Sequence, residues 1–270
     1  AILLPPKSPL EHLEVIMREF TTEAEKYGVE IIGGHTGTYK GIQQPLIVTT
    51  TIGFRFRRVV SPSIGDKILV VNKVGMESLW LASLIGKVKV EEDYWRKLTP
   101  LPQVFLLSKL NGVKLLHDVS EGGLLQALLD ISSKFNLIIK VKRKLIPFER
   151  NLKKLGINLL VAPSYGTLVA IVESKFEKDI TRTLRSEDVV YSIIGEIYGK
   201  GYGVYVDNEF YENIQRTSLD EVYGEVLVLD PLISSVLRAL TKIEEEESFA
   251  KLIPEVGLNM VYAKENAKTE

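Results

Sequence analysis

Val113-Lys114-Leu115-Leu116-His117-Asp118-Val119-Ser120-Glu121-Gly122-Gly123-Leu124 is the stretch whose division decides the fold. Val113 to Leu116 reads as a buried strand that runs straight into His117 and Asp118. After Gly122 and Gly123 the apolar spacing changes to that of a helix, from Leu124 to Phe135. A strand that turns through glycine into a helix is the building unit of layered α/β structure. Upstream of this unit, Ile68 to Val71 predicts a strand, and Glu77 to Leu84 and Pro100 to Leu110 predict helices. Downstream, Gly166 to Glu173 alternates like a strand and Lys175 to Leu184 fits a helix. Tyr191 to Ile197 then leads through Gly199 to Gly203, read as a hairpin turn, into Val204 to Val206.

Toward the N-terminus, Ala1 to Leu4 reads as a strand. In Ser8 to Tyr27, Leu10, Leu13, Ile16, Met17, Phe20 and Ala24 form one stripe of a helix, with Ser8-Pro9 as the start and Gly28 as the stop; His12 falls on the exposed side. Val29 to Ile32 is expected to be a short strand ending at Gly33-Gly34, and Leu46 to Phe54 a further one. Between Arg55 and Asp66 the period is lost, and Pro62 and Gly65 mark a connection. The expected domains are therefore residues 1–58, 59–230 and a helical linker with a tail at 231–270. Within that tail, Glu244 to Glu247 is a charged run followed by an apolar segment from Phe249 to Ala263. Because Ala1 falls inside a strand, upstream sequence is expected.

The balance of 34 Lys and Arg against 35 Asp and Glu gives a net charge of -1, which offers no electrostatic reason for a polyanionic partner. Arg55-Phe56-Arg57-Arg58 is the one basic cluster with an aromatic inside it, and it reads as a solvated edge. With 45% hydrophobic and 26% charged residues the chain can build a core. No apolar stretch approaches the ~20 residues of a membrane span, and no signal-peptide pattern opens the chain, so a cytoplasmic location is expected. The absence of Cys excludes disulfides, thiolate metal sites and thiol nucleophiles. No Ser, His and Asp set stands at a recognisable spacing.

Two glycine-bearing segments are candidates for chemistry. Gly33-Gly34-His35-Thr36 offers backbone amides to phosphate oxygens, an imidazole and a hydroxyl; its alternative is a tight turn. In His117 to Gly123, Asp118 can hold the magnesium of a nucleotide, while Glu121, Gly122 and Gly123 stand where a helix N-terminus binds anions. Capping by Asp118 or Ser120 is the alternative there. Capping leaves the two glycines unexplained, since each weakens a helix by ~1 kcal/mol relative to Ala, and a ligand's need for space would explain them. Gly199-Lys200-Gly201-Tyr202-Gly203 lacks the spacing and hydroxyl of a phosphate loop.

Taken in order, Gly33-Gly34-His35-Thr36, Thr49-Thr50-Thr51-Ile52-Gly53, Ile64-Gly65-Asp66-Lys67-Ile68-Leu69-Val70, His117-Asp118-Val119-Ser120-Glu121-Gly122-Gly123-Leu124 and Gly195-Glu196-Ile197 resemble the aminoimidazole ribonucleotide synthetase-related proteins. That family takes in hydrogenase maturation protein E, selenophosphate synthetase and thiamine-monophosphate kinase, and the resemblance runs from Ala1 to about Asp230. It implies a two-domain α/β subunit with mixed sheets, homodimeric through its N-terminal domain. It further implies ATP and Mg as cofactors and phosphoryl transfer to a small molecule. On the matching positions, Asp118 is the metal ligand, and Gly33, Gly34, His35, Thr36, Glu121, Gly122 and Gly123 bind nucleotide; no catalytic residue is assigned. Members carry a Gly-rich segment and Asp residues before the helix that here begins near Ser8, and the hydrogenase maturation protein ends in a reactive cysteine that this chain lacks. Residues 252–269 resemble the opening of a thiamine-phosphate synthase domain. The alternative function is a non-catalytic protein that binds a nucleotide or thiamine precursor on the same fold.

Overall fold

A computed structural model of the chain describes residues 1–54 and 58–214; the linker and tail expected at 231–270, and residues 55–57 of the basic cluster, lie outside the described residues. The chain divides after Arg58 into two units.

In the first unit, β1 (Ile2–Leu4) precedes the helix α1 (Leu10–Lys26), β2 (Thr36–Thr38) and β3 (Leu46–Ile47). β1 is the central strand, parallel to β2 and antiparallel to β3. Two expectations fail here. Val29 to Ile32 is not a strand, and of Leu46 to Phe54 only the first two residues are. The reason lies in pairing: β1 takes its parallel partner after the glycines, with the Ile2 N–H donating to the His35 carbonyl at 2.8 Å. Val29, Ile31 and Ile32 are left with apolar side chains facing out and no ladder to join. β-Branched composition marks a segment that fits a sheet, and an available edge decides whether it enters one.

The second unit holds β4 (Lys67–Val71), α2 (Met76–Leu84), a 3-10 turn at Tyr94–Leu98, α3 (Leu101–Ser108), β5 (Val113–Val119), α4 (Gly123–Phe135), β6 (Leu137–Val141), β7 (Thr167–Val172), α5 (Glu177–Ser186), β8 (Tyr191–Lys200), β9 (Val204–Val206) and β10 (Glu209–Tyr211). Seven of these strands form one mixed sheet in the order β10-β9-β6-β8-β4-β7-β5. The two-residue alternation of β4 divides the core. Ile68 and Val70 pack with Leu124, Leu128 and Ile131 of α4 on one face, and Leu69 and Val71 pack with Leu107 of α3 and Ile180 and Leu184 of α5 on the other. Each of these buried side chains contributes about 1.5–3 kcal/mol of transfer free energy.

Gly199 to Gly203 is not a hairpin turn. β6 lies between β8 and β9, antiparallel to the first and parallel to the second. The connection passes around the start of β6, where Gly201 N–H donates to the Asn136 carbonyl and Ile139 N–H to that of Gly203. β6 follows α4 across a single left-handed residue, Asn136, at φ 52°. The helix is thus capped and the chain reversed in one step.

Candidate functional site

β5 is the edge strand of the large sheet, and it extends through His117 and Asp118 to Val119 rather than stopping at Leu116. Val113 faces Val172 of β7 and Leu115 faces Ile171, so Lys114 is an extra residue without an opposite number, a β-bulge. Val113 and Leu116 therefore pack on the α3/α5 face, and Leu115 and Val119 on the α4 face. By the same alternation Asp118 shares the face of Leu116. Its carboxylate is 55% exposed. The His117 Nδ1–H donates to the Asp118 carbonyl at 2.6 Å; a carbonyl only accepts, so this bond fixes the tautomer and leaves Nε2 as the acceptor of the neutral ring.

Gly122 and Gly123 adopt left-handed backbone, with φ of 79° and 63°. A Cβ at Gly123 would stand 2.6 Å from the Val161 carbonyl carbon and 2.7 Å from the Leu160 and Ala162 oxygens. At Gly122 it would stand 2.6 Å from Cβ of Gln126 and 2.9 Å from Cδ1 of Ile214. The space that these glycines leave is filled by the protein itself, which corrects the expectation that a ligand requires it. Three amides at the helix start are engaged as well. Gly123 N–H donates to Ser120, Leu125 N–H to Leu160 and Gln126 N–H to Gly122 carbonyls. What the motif turns outward is Asp118, Ser120 and Glu121, all exposed.

The connection from Asn158 to Gly166, not singled out in the sequence, joins both helix starts. Beyond its bond to α4, the Pro163 carbonyl accepts from Ser78 N–H at 3.1 Å and from Ser78 Oγ at 2.8 Å. Ser164 Oγ accepts from Gly75 N–H at 2.7 Å and donates to the Ala162 carbonyl. Glu77 accepts from Tyr165 N–H, and Asn72 Nδ2 donates to Gly166. Beside this loop, Lys73 pairs with the mostly buried Glu149 at 3.0 Å. Tyr94 has a buried hydroxyl without a hydrogen-bond partner among the described residues. Burial, aided by the negative charges of Glu149 and Glu91, pushes its phenol above the ordinary tyrosine range. The signal for the loop was Pro163-Ser164-Tyr165-Gly166, turn residues that directly precede a largely apolar strand.

In the first unit, Gly33, Gly34, His35 and Thr36 are all exposed. His35 Nε2 lies 2.6 Å from the Tyr39 hydroxyl. Neither Gly33 nor Gly34 has a positive φ, and nothing lies within 4 Å of a Cβ built on either. Their small size answers to no backbone or packing requirement of the described residues. The structure thus groups Gly33 to Thr36 with Tyr39 in one unit, and His117 to Gly123 with the 158–166 loop in the other. Among the described residues no cluster of three or more His, Asp or Glu side chains gathers as a metal cage. No helix there is long and apolar enough to cross a membrane.

Residues 63–207 match the model of the AIR synthase related protein, C-terminal domain, and residues 235–270 match that of the thiamine-phosphate synthase ThiN. A hydrogenase expression/formation protein of Methanocaldococcus jannaschii is 24% identical over 195 residues, covering 68% of this chain and 58% of that relative. The chain thus spans less than two thirds of that protein's length. Among solved structures, E. coli HypE superposes with a TM-score of 0.64 at 19% identity, over 82% of this chain and 74% of that one. A HypE in complex with ATP gives 0.62 at 16%, over 82% and 73%. AaThiL complexed with AMPPCP and TMP gives 0.59 at 17%, over 78% and 70%. These likenesses establish a common fold.

Proposed function

Because the chain belongs to the AIR synthase related family through residues 63–207, we propose that it is an ATP- and Mg-dependent enzyme that activates a small molecule by phosphoryl transfer. The observation that carries this reading is the contrast between the two glycine pairs. Gly122 and Gly123 are required by the fold, whereas Gly33 and Gly34 stand in open space without a positive φ. A residue kept small for neither backbone nor packing suits the approach of something outside the chain, and consecutive amides beside His35 and Thr36 suit phosphate oxygens. Relatives of the same fold that hold ATP or AMPPCP support the nucleotide.

Magnesium takes one or two carboxylates together with substrate phosphates and retains water, so it needs no all-protein cage. The exposed Asp118 carboxylate fits that demand. A bound ion would neutralise charge on the transferring phosphoryl group. In this reading Asp118 holds the metal and Glu121 and Ser120 frame it. Gly33 to Thr36 offer their amides to phosphate oxygens, and Gly122 and Gly123 shape the start of α4. The subunit is a cytoplasmic homodimer joined through residues 1–58.

The match of residues 235–270 to a thiamine-phosphate synthase favours a second reading. With AaThiL complexed with AMPPCP and TMP as a relative in fold, it supports a thiamine precursor as the small molecule, either phosphorylated or merely bound as a regulator. ATP hydrolysis by the full chain, measured with and without thiamine monophosphate, tests both. Turnover lost ~100-fold or more on Asp118→Ala is the expected result for a metal-positioned phosphoryl transfer. Nucleotide binding without turnover would replace the enzyme by a sensor.

A further inference from the structure

The bulge in β5 has a fastening of its own. An extra residue in an edge strand leaves its main-chain groups outside the ladder, and here the Lys114 carbonyl accepts from Val60 N–H at 3.0 Å. The Lys114 side chain is tied to the same segment: its Nζ lies 2.8 Å from Asp66 Oδ2 and 3.3 Å from Ser63 Oγ. Asp66 is buried, and its Oδ2 also accepts from Ser63 N–H at 2.7 Å. Main chain and side chain of one bulged residue are therefore anchored independently to residues 60–66. The ion pair is nearly dry, with 13% and 5% of the two side chains exposed. Asp66 in turn is held in the sheet by Ile197 N–H, which donates to its carbonyl.

A one-residue change of phase in a strand turns every later side chain to the opposite face. Counted from Val113 without the bulge, Leu116 and Asp118 would point to the α4 face, where Leu115 and Val119 are now buried. We propose that Lys114 and Asp66 are positioning residues: their ion pair pins the bulge that turns Asp118 outward, away from α4. The inference rests on the proposed role of Asp118 only in the use to which its carboxylate is put.

Because the chain contains no cysteine, Asp118→Cys places a single reporter thiol at the position in question. In the full chain it should react readily with a maleimide. Adding Asp66→Asn or Lys114→Met should slow that reaction at least tenfold, while Lys114→Arg, or the exchanged pair Asp66→Lys with Lys114→Asp, should keep it within about threefold. General loosening of the fold would speed labelling, so a slowed reaction separates positioning from a structural role. An unchanged or faster rate in both Asp66→Asn and Lys114→Met overturns the proposal, whatever happens to ATP. In the parallel assay with Asp118 intact, Asp66→Asn should raise the MgCl2 concentration for half-maximal ATP hydrolysis about tenfold with little change in kcat. If Asp118→Ala leaves that concentration unchanged, the function proposed above fails while the labelling result stands.

Discussion

Gly123 and Gly33 look alike in the sequence, each one half of a glycine pair beside a strand, and the structure separates them. Gly123→Ala would force a Cβ against the backbone of Leu160 to Ala162 from a left-handed conformation, and a loss of at least ~2 kcal/mol is expected in chemical denaturation. Gly33→Ala meets open space at an ordinary φ, so stability should stay within ~0.5 kcal/mol while nucleotide affinity, read by calorimetry, falls. Tyr94 gives a different contrast. Its hydroxyl is buried without a partner among the described residues, so Tyr94→Phe should leave stability unchanged or raise it by ~1 kcal/mol. Since its phenol titrates above the ordinary range, the folded state retains this proton where the unfolded state has lost it. Stability in the wild type therefore declines as pH rises past about 10, and the phenylalanine variant should show a shallower decline. None of this was legible in the letters. Which glycine needs its freedom, and which hydroxyl lacks a partner, depends on neighbours far along the chain.

Elements were read better than single residues where independent signals agreed. β4, β7 and β8, and the helices α2, α3 and α4, stand within a few residues of their expected spans because apolar period and flanking glycine agree there. β6 was missed because Leu137 follows α4 with only Asn136 between them, so neither Gly nor Pro announces the change. The hairpin expected at Gly199 to Gly203 failed because a strand from elsewhere occupies the slot beside β8, and no local pattern carries that information. The connection from Asn158 to Gly166 is the element most open to test. Ser164→Ala deletes the acceptor of the buried Gly75 N–H, and a cost of ~1–3 kcal/mol is expected from the orphaned donor. Thermal unfolding of the variant should show it as a lowered Tm.

At the scale of the molecule, the family and its mixed α/β fold were legible because several short motifs stand in one order along the sequence, three of them within the matched residues 63–207. The apolar surface of the first unit was not, since period alone cannot tell a core-facing stripe from one awaiting a partner. α1 buries none of its residues, and Ile32, Ile52 and Phe54 are 86%, 86% and 102% exposed. So much apolar area suits the dimer interface proposed above. Light scattering should return a dimer, and Ile32→Glu with Ile52→Glu should yield a monomer that retains the fold of the second unit. The strand order carries one more consequence, for synthesis on the ribosome. β4 lies between β7 and β8, and Lys67 finds its neighbour only at Val172. This apolar strand must therefore emerge and wait, unpaired, until residues far behind it have been translated. Such distant closure slows folding and leaves a sticky segment exposed meanwhile, so slower elongation through residues 72–172 should increase aggregation of the nascent chain and its demand for chaperones.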